Sequence, residues 1–167
     1  EYCCGKRNIF NLIKYQVKNF DYFAFDLDKS IIQHLKRIEI ENIYEDEEMI
    51  PNNYFDIIIL SHVLEHQSNP INFLKKIRLL AKTDGYIFIE VPYSDHLYSS
   101  NIEPHTFTFN EQSISYIIET LGMKLVNISS CGRKIVELST FRRYINKLKL
   151  IIIRRKHLYR IILFFFE

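Results

Sequence analysis

The sequence predicts a doubly wound α/β fold, a mostly parallel sheet ending in an antiparallel hairpin, and three observations lead there. Short apolar runs alternate with amphipathic helical segments along most of the chain. The run FDIIIL, Phe55 to Leu60, is a near-continuous β-branched stretch, the pattern of a parallel strand covered on both faces. Two last runs, about Lys124 to Ser129 and Lys134 to Leu138, flank the turn from Ser130 to Arg133 and read as a hairpin.

The elements follow in order. Asn8 to Val17 sets Ile9, Leu12, Ile13 and Val17 at helical spacing. Phe23 to Leu27 is a short buried strand that ends in acid. Ser30 is expected to cap a helix with Ile31, Leu35 and Ile38 on one face. After FDIIIL, Asn69 and Pro70 make a cap and first-turn pair, and the helix they open turns Phe73, Leu74, Ile77, Leu80 and Ala81 inward before stopping near Gly85. Tyr86 to Val91 is the next buried strand, closed by Pro92. Asn110 then starts a helix with Ile114, Ile117, Ile118 and Leu121 inward, ended by Gly122.

Composition bounds the class. With 47% hydrophobic and 25% charged residues in 167, the chain has the make-up of one ordinary globular domain. Three cysteines without a CxxC pair argue against a disulfide framework or a cysteine zinc site, and for a reducing, cytoplasmic setting. Charge is unevenly placed: residues 141–167 hold eight Lys/Arg against one acid, leaving 14 against 19 in residues 1–140. An acidic body with a basic apolar tail is not a nucleic-acid footprint. We therefore divide the chain into a domain over residues 1–140 and a helical tail over 141–167. For that tail two readings stand open, an interfacial helix making peripheral membrane contact and a packing or dimerisation helix. No apolar run reaches the roughly 18 residues or more of a membrane span.

In such sheets ligands bind beyond the carboxyl ends of the strands. Asp26 stands there in FAFDLD, followed by Leu27, and a carboxylate so placed can accept two hydrogen bonds from a ribose diol. The first loop, EYCCGKRNIF, is a short turn into a helix N-terminus, which lets backbone groups approach a ligand closely; an ordinary strand–helix turn is the plainer reading.

The stretch from Glu45 to Pro92, with FDIIILSHVLEH and LLAKTDGYIFIEVP, resembles class I S-adenosylmethionine-dependent methyltransferases of the small-molecule type. Their fourth strand runs FDxVxxxxVLEH and their fifth follows LKPGG. The first loop of that family reads DxGCGxG. Here Glu1 keeps the acid and Cys4 and Gly5 the central pair, while Cys3 and Arg7 replace the two flanking glycines. The resemblance implies S-adenosylmethionine as cofactor, held by Glu1, Gly5, Asp26 and Leu27, with Asp46 or Glu47 at the adenine edge and Ser61 lining the cleft. It implies a small-molecule acceptor, and places His105 and His62 as candidate bases for an acceptor hydroxyl. No metal is expected. It also implies that the first strand of the sheet is largely missing, so that about 20 or more residues precede Glu1 and these residues alone are poorly soluble.

Two other readings compete. Side chains at Cys3 and Arg7 crowd the place of the methionine moiety, which motivates a catalytically inactive S-adenosylmethionine-binding module. HVLEH also spells HxxEH, the inverted zinc-hydrolase pattern. That pattern needs to lie inside a helix with a third ligand downstream, whereas Ser61 is tied to a strand and the long helix starts only at Asn69–Pro70; Glu137 is the ligand at hand.

Overall fold

The computed structural model describes residues 1–6, 9–14, 17, 19–93, 105–131 and 159–165. In chain order they form α1 (Phe10–Ile13), β1 (Phe23–Phe25), α2 (Lys29–Arg37), β2 (Asn42–Tyr44), a 3-10 turn (Glu47–Met49), β3 (Phe55–Ser61) and a second 3-10 turn (Leu64–His66). α3 (Pro70–Leu80), β4 (Ala81–Pro92), α4 (Glu111–Thr120), β5 (Lys124–Cys131) and β6 (Tyr159–Phe165) follow.

β1 and β2 pair in parallel, as do β3 and β4, and the larger sheet has the order β3-β4-β6-β5. Residues Glu1 to Cys4 stitch the two sheets together. Tyr2 N donates to Ile59 O at 3.0 Å, Phe25 N to Glu1 O at 3.0 Å and Cys4 N to Phe25 O at 3.3 Å. Below this stitch an apolar groove runs between β1 and β3, lined by Tyr2, Phe23, Phe25, Tyr44, Phe55 and Ile57. Ile57 is accordingly 38% exposed, an exception to the covered strand that FDIIIL predicts.

The period of two along a strand sends neighbours to opposite faces, and the core obeys it. Ile58 and Leu60 of β3 pack with Leu74 and Ile77 of α3 and with Ile114, Ile117 and Ile118 of α4. Ile59 packs on the other face with Ile9 and Ile13 of the first helix and Ile31, Ile32 and Leu35 of α2. Both faces of β3 are therefore covered by helices, which is what doubly wound means. The predicted inward set of α4 holds, with Ile114, Ile117, Ile118 and Leu121 all buried; of the α3 set Leu74 and Ile77 are inaccessible, Phe73 and Leu80 are half-buried, and Ala81 belongs to β4.

Caps show where local chemistry sufficed. Asn69 Oδ1 accepts from Asn72 N at 3.0 Å with Pro70 in the first turn, and Asn110 exchanges a reciprocal pair of bonds with Ser113 at 2.9 Å each. The α2 cap is a correction. Asp28, not Ser30, is the N-cap: its carboxylate accepts from Ser30 N at 2.7 Å, and Ser30 lies inside the helix. The first helix is also shorter than its periodicity predicts, Phe10–Ile13.

Gly85 serves a different purpose from the predicted helix stop. α3 already ends at Leu80, and β4 begins at Ala81 with a register shift opposite Phe55 and Ile57. A Cβ on Gly85 would meet the carbonyl oxygens of Lys82 and Phe55 at 3.0 Å, so a side chain there would require the neighbouring backbone to give by a few tenths of an ångström.

The chain end departs most from expectation. β5 takes its antiparallel partner from Tyr159–Phe165, and β6 lies between β4 and β5 with Ile162 opposite both Ile89 and Ile128. The second strand of the predicted hairpin, 134–138, lies outside the described residues, as does 141–158. The helical tail is thus corrected over 159–165: a short β-branched and aromatic run there meets two strands with unpaired backbone groups, and pairing satisfies both. Among the described residues no helix is long and apolar enough to cross a membrane.

Candidate functional site

Tyr2 is bridged to Phe25 on one side and bonded to Ile59 on the other. The loop after it therefore lies between the carboxyl ends of β1 and β3, and its conformation is set by several anchors. Glu1 Oε2 accepts from Ile9 N at 2.8 Å and from the Tyr22 hydroxyl at 2.5 Å, tying the loop to the start of the first helix. Burial, with the Glu1 charge next, raises the Tyr22 phenol well above its ordinary value, so it stays a donor. The Tyr2 ring meets Phe25 in a tilted contact at 4.7 Å and Phe73 edge-on at 5.6 Å.

Asp26 joins this loop to the strand end. Its Oδ2 accepts from Gly5 N at 2.9 Å and its Oδ1 from Asp28 N at 3.0 Å. Gly5 has φ +57° with open space where a Cβ would be, so backbone conformation and not crowding calls for glycine. Cys3 has φ +52° and carries a side chain in that same left-handed region, where a non-glycine residue is strained by about 1–2 kcal/mol. Cys3→Gly is expected to raise the melting temperature. Calorimetry on the two proteins checks this, and an unchanged or lower melting temperature would count against the strain.

Both loop thiols are desolvated, and the nearby carboxylates add to the effect. Burial first, then Asp26 for Cys3 and Glu1 for Cys4, pushes each thiol up to about 12. The folded state then holds these protons more tightly than the unfolded chain. Their stabilising share is full below the unfolded thiol's ordinary value of 9.0 and is lost as pH rises from there towards about 12. At pH 8 alkylation of Cys3 and Cys4 should be slow in folded protein and fast in denaturant, followed by mass spectrometry.

The ends of β1 and β2 are neighbours, since Phe25 pairs with Tyr44. Asp46 caps the first 3-10 turn, its Oδ1 accepting from Glu48 N at 3.0 Å, while burial first and the nearby Glu47 next raise the Tyr2 phenol above its ordinary value. Leu27 and Met49, one just past each strand, are 77% and 67% exposed. A half-buried carboxylate with the bare apolar side chain of Leu27 next to it in the chain suits a ligand with an apolar face and a polar edge.

At the end of β3, Ser61 Oγ donates to Glu90 Oε2 at 2.6 Å and His62 N to Glu90 O at 2.9 Å. His62 has φ +57°, and its Nδ1 lies 3.0 Å from Glu65 Oε1. Glu65 is fully buried, and its carbonyl accepts from Thr106 N and Phe107 N at 2.8 and 3.1 Å. This brings the loop of His105 to the HVLEH turn, where the His105 and His66 rings meet edge-on at 5.0 Å. HxxEH therefore spans a strand end and a 3-10 turn, with Glu65 between the two histidines rather than beside them on a helix.

The structure thus brings Glu1, Gly5 and Asp26 together at one loop, Asp46 and Glu47 on the next, and Ser61, His62 and His105 across β3 and its turn. Sequence reasoning left out Glu90 and met Glu65 only as part of the HxxEH pattern, not as a partner of His62. Their signal was present: each is a lone acid inside an apolar run, VLEH and IFIEVP.

A wound sheet with a loop glycine, a strand-end carboxylate and bare apolar flanks defines a nucleoside-binding α/β domain. The particular family follows from comparison: the methyltransferase-domain family profile matches residues 1–127, and the chain belongs to that family. The fold is that of S-adenosylmethionine-dependent methyltransferases. One from Archaeoglobus fulgidus superposes with a TM-score of 0.66 at 19% identity, over 98% of this chain and 83% of that one. One from Mesorhizobium loti gives 0.68 at 8% identity, over 98% and 88%. The Burkholderia thailandensis 1,6-didemethyltoxoflavin-N1-methyltransferase, with its substrate and S-adenosylhomocysteine bound, gives 0.67 at 15% identity, over 98% and 68%. No curated protein matches the sequence. S-adenosylmethionine is the cofactor of this family and fold, and the Asp26 carboxylate with its exposed apolar neighbours fits a nucleoside of that kind.

Proposed function

We propose that this chain catalyses transfer of a methyl group from S-adenosylmethionine to a small-molecule hydroxyl, a sugar or surface-glycan precursor being the class in view. The observation that carries the cofactor half is the clasp of Asp26 on Gly5 N, which sets the carboxylate at the mouth of the β1 end. Asp26 would hold the ribose diol, the 3-10 turn of Asp46 and Glu47 the adenine edge, and Leu27 and Met49 the ring faces.

When bound, the cofactor supplies a methyl already activated on a sulfonium. The chain's own residues then orient the acceptor, exclude water and take up a proton. For a hydroxyl acceptor we assign that proton to His62. Glu65, buried and 3.0 Å from Nδ1, orients the imidazole. Ser61, held by Glu90, lines the cleft beside it.

The strain at Cys3 favours one other reading, a module that binds the cofactor without turnover. Calorimetric titration with S-adenosylmethionine, followed by assay of S-adenosylhomocysteine formed over a panel of hydroxylated small molecules, separates the two. Binding with turnover supports the enzyme. Binding without turnover across the panel supports the module, and absence of binding defeats both.

A further inference from the structure

We infer that Glu65, His66 and His105 form a binding site for a single divalent first-row transition-metal ion, zinc being the reference case, at the outer end of β3. Each residue offers one ligand atom, and the three atoms lie within 4.8 Å of one another.

The cluster is built by the fold, not by chance proximity. Glu65 and His66 share the second 3-10 turn, while His105 comes from the loop that leads to α4. That loop is fastened at two points close to the histidine. Thr106 N and Phe107 N donate to the Glu65 carbonyl, and buried Phe109 bridges to Tyr93 just past β4. The ligand from the loop is thus tied to the very residue that supplies the carboxylate.

The carboxylate itself points to a cation. Glu65 is fully buried, and its two oxygens are treated unequally. Oε1 faces His62 Nδ1 at 3.0 Å, whereas Oε2 has no hydrogen-bond partner among the described residues. A buried carboxylate oxygen left so is costly, and a metal ion is one of few groups that satisfies it.

Donor chemistry selects the ion. Two imidazoles and one carboxylate suit zinc and its first-row neighbours and do not suit magnesium or calcium, which prefer oxygen ligands throughout. Ligand atoms about 2.0–2.1 Å from zinc in a tetrahedral array lie about 3.4 Å apart. The three ligand atoms, within 4.8 Å of one another, stand wider than that, and ring rotations of the two less buried histidines would bring their nitrogens in towards the carboxylate. His62 stays outside it and holds Oε1, the part a neighbouring imidazole plays around a ligating carboxylate. This set differs from the HxxEH hydrolase pattern, because Glu65 is a ligand and the second histidine comes from another loop. Three protein ligands leave at least one position open, as in sites that take an oxygen of a substrate. That the open position faces the acceptor rests on the methyltransferase reading; the metal site does not.

The test uses the whole chain, stripped with chelator and dialysed, then titrated with zinc and with cobalt(II) while visible absorption is recorded. One ion per chain is expected. His105→Asn and His66→Asn should each weaken zinc by at least the roughly 10- to 100-fold that loss of an outer partner costs, while His34→Asn, on α2, leaves it unchanged. Glu65→Gln removes the buried ligand; should that variant fail to fold, the two histidine variants decide alone. Absence of stoichiometric uptake, or full affinity in both histidine variants, overturns the site. S-adenosylhomocysteine is titrated into the same samples. Cofactor binding without zinc uptake removes this site and leaves the methyltransferase reading, and zinc uptake without cofactor binding does the reverse.

Discussion

Asp26→Ala is expected to weaken S-adenosylhomocysteine binding by about 100-fold or more. Each hydrogen bond from a neutral donor to a charged acceptor contributes about 1.5–3 kcal/mol, and a ribose diol offers two. Every 1.4 kcal/mol is roughly tenfold in affinity, so the lower end of that range already gives about two orders of magnitude. The substitution also frees Gly5 N, which now donates to Oδ2, and so loosens the loop that lies against the ligand. Asp26→Asn is the intermediate case: it keeps one of the two acceptors that Gly5 N and Asp28 N now use and loses the charge, so it should fall between wild type and Ala in both affinity and melting temperature. Calorimetric titration and thermal melting of the three proteins provide the check. Undiminished affinity in Asp26→Ala would put the nucleoside elsewhere on the sheet.

His62→Asn should lower kcat by about 100- to 10,000-fold with a hydroxyl acceptor, the range for loss of a general base. Affinity for S-adenosylhomocysteine should stay as it was. Asparagine is the right replacement because His62 sits at φ +57°, a region that Asn tolerates and β-branched residues do not. Backbone strain is then matched, and His62 N keeps its bond to Glu90 O at 2.9 Å. A variant with wild-type kcat would remove His62 from the reaction.

Strand ends carried the legible part of the site. Asp26 follows FAF, Asp46 follows NIY, and Ser61 and His62 follow FDIIIL, so a sheet with ligand-binding carboxyl ends brings attention to all of them at once. What escaped was partnership. Glu65 and Glu90 contact His62 and Ser61 through a turn and a neighbouring strand, and no spacing along one segment discloses such a meeting. Cys3 was legible as a departure from a glycine, but its left-handed φ was not.

The amino-acid order by itself determined the alternation of strand and helix, the caps at Asn69 and Asn110, the inward faces of α3 and α4, and the family. All of these are local: a period, a cap or a motif needs only neighbours within a few residues. Tertiary structure alone decided that Tyr159–Phe165 enters the sheet between β4 and β5, that the Phe55 carbonyl comes close against Gly85, and that His105 reaches Glu65 and His66. Those outcomes depend on backbone groups and side chains far apart along the chain. Their pairing is settled only when the whole sheet closes and each buried donor finds an acceptor.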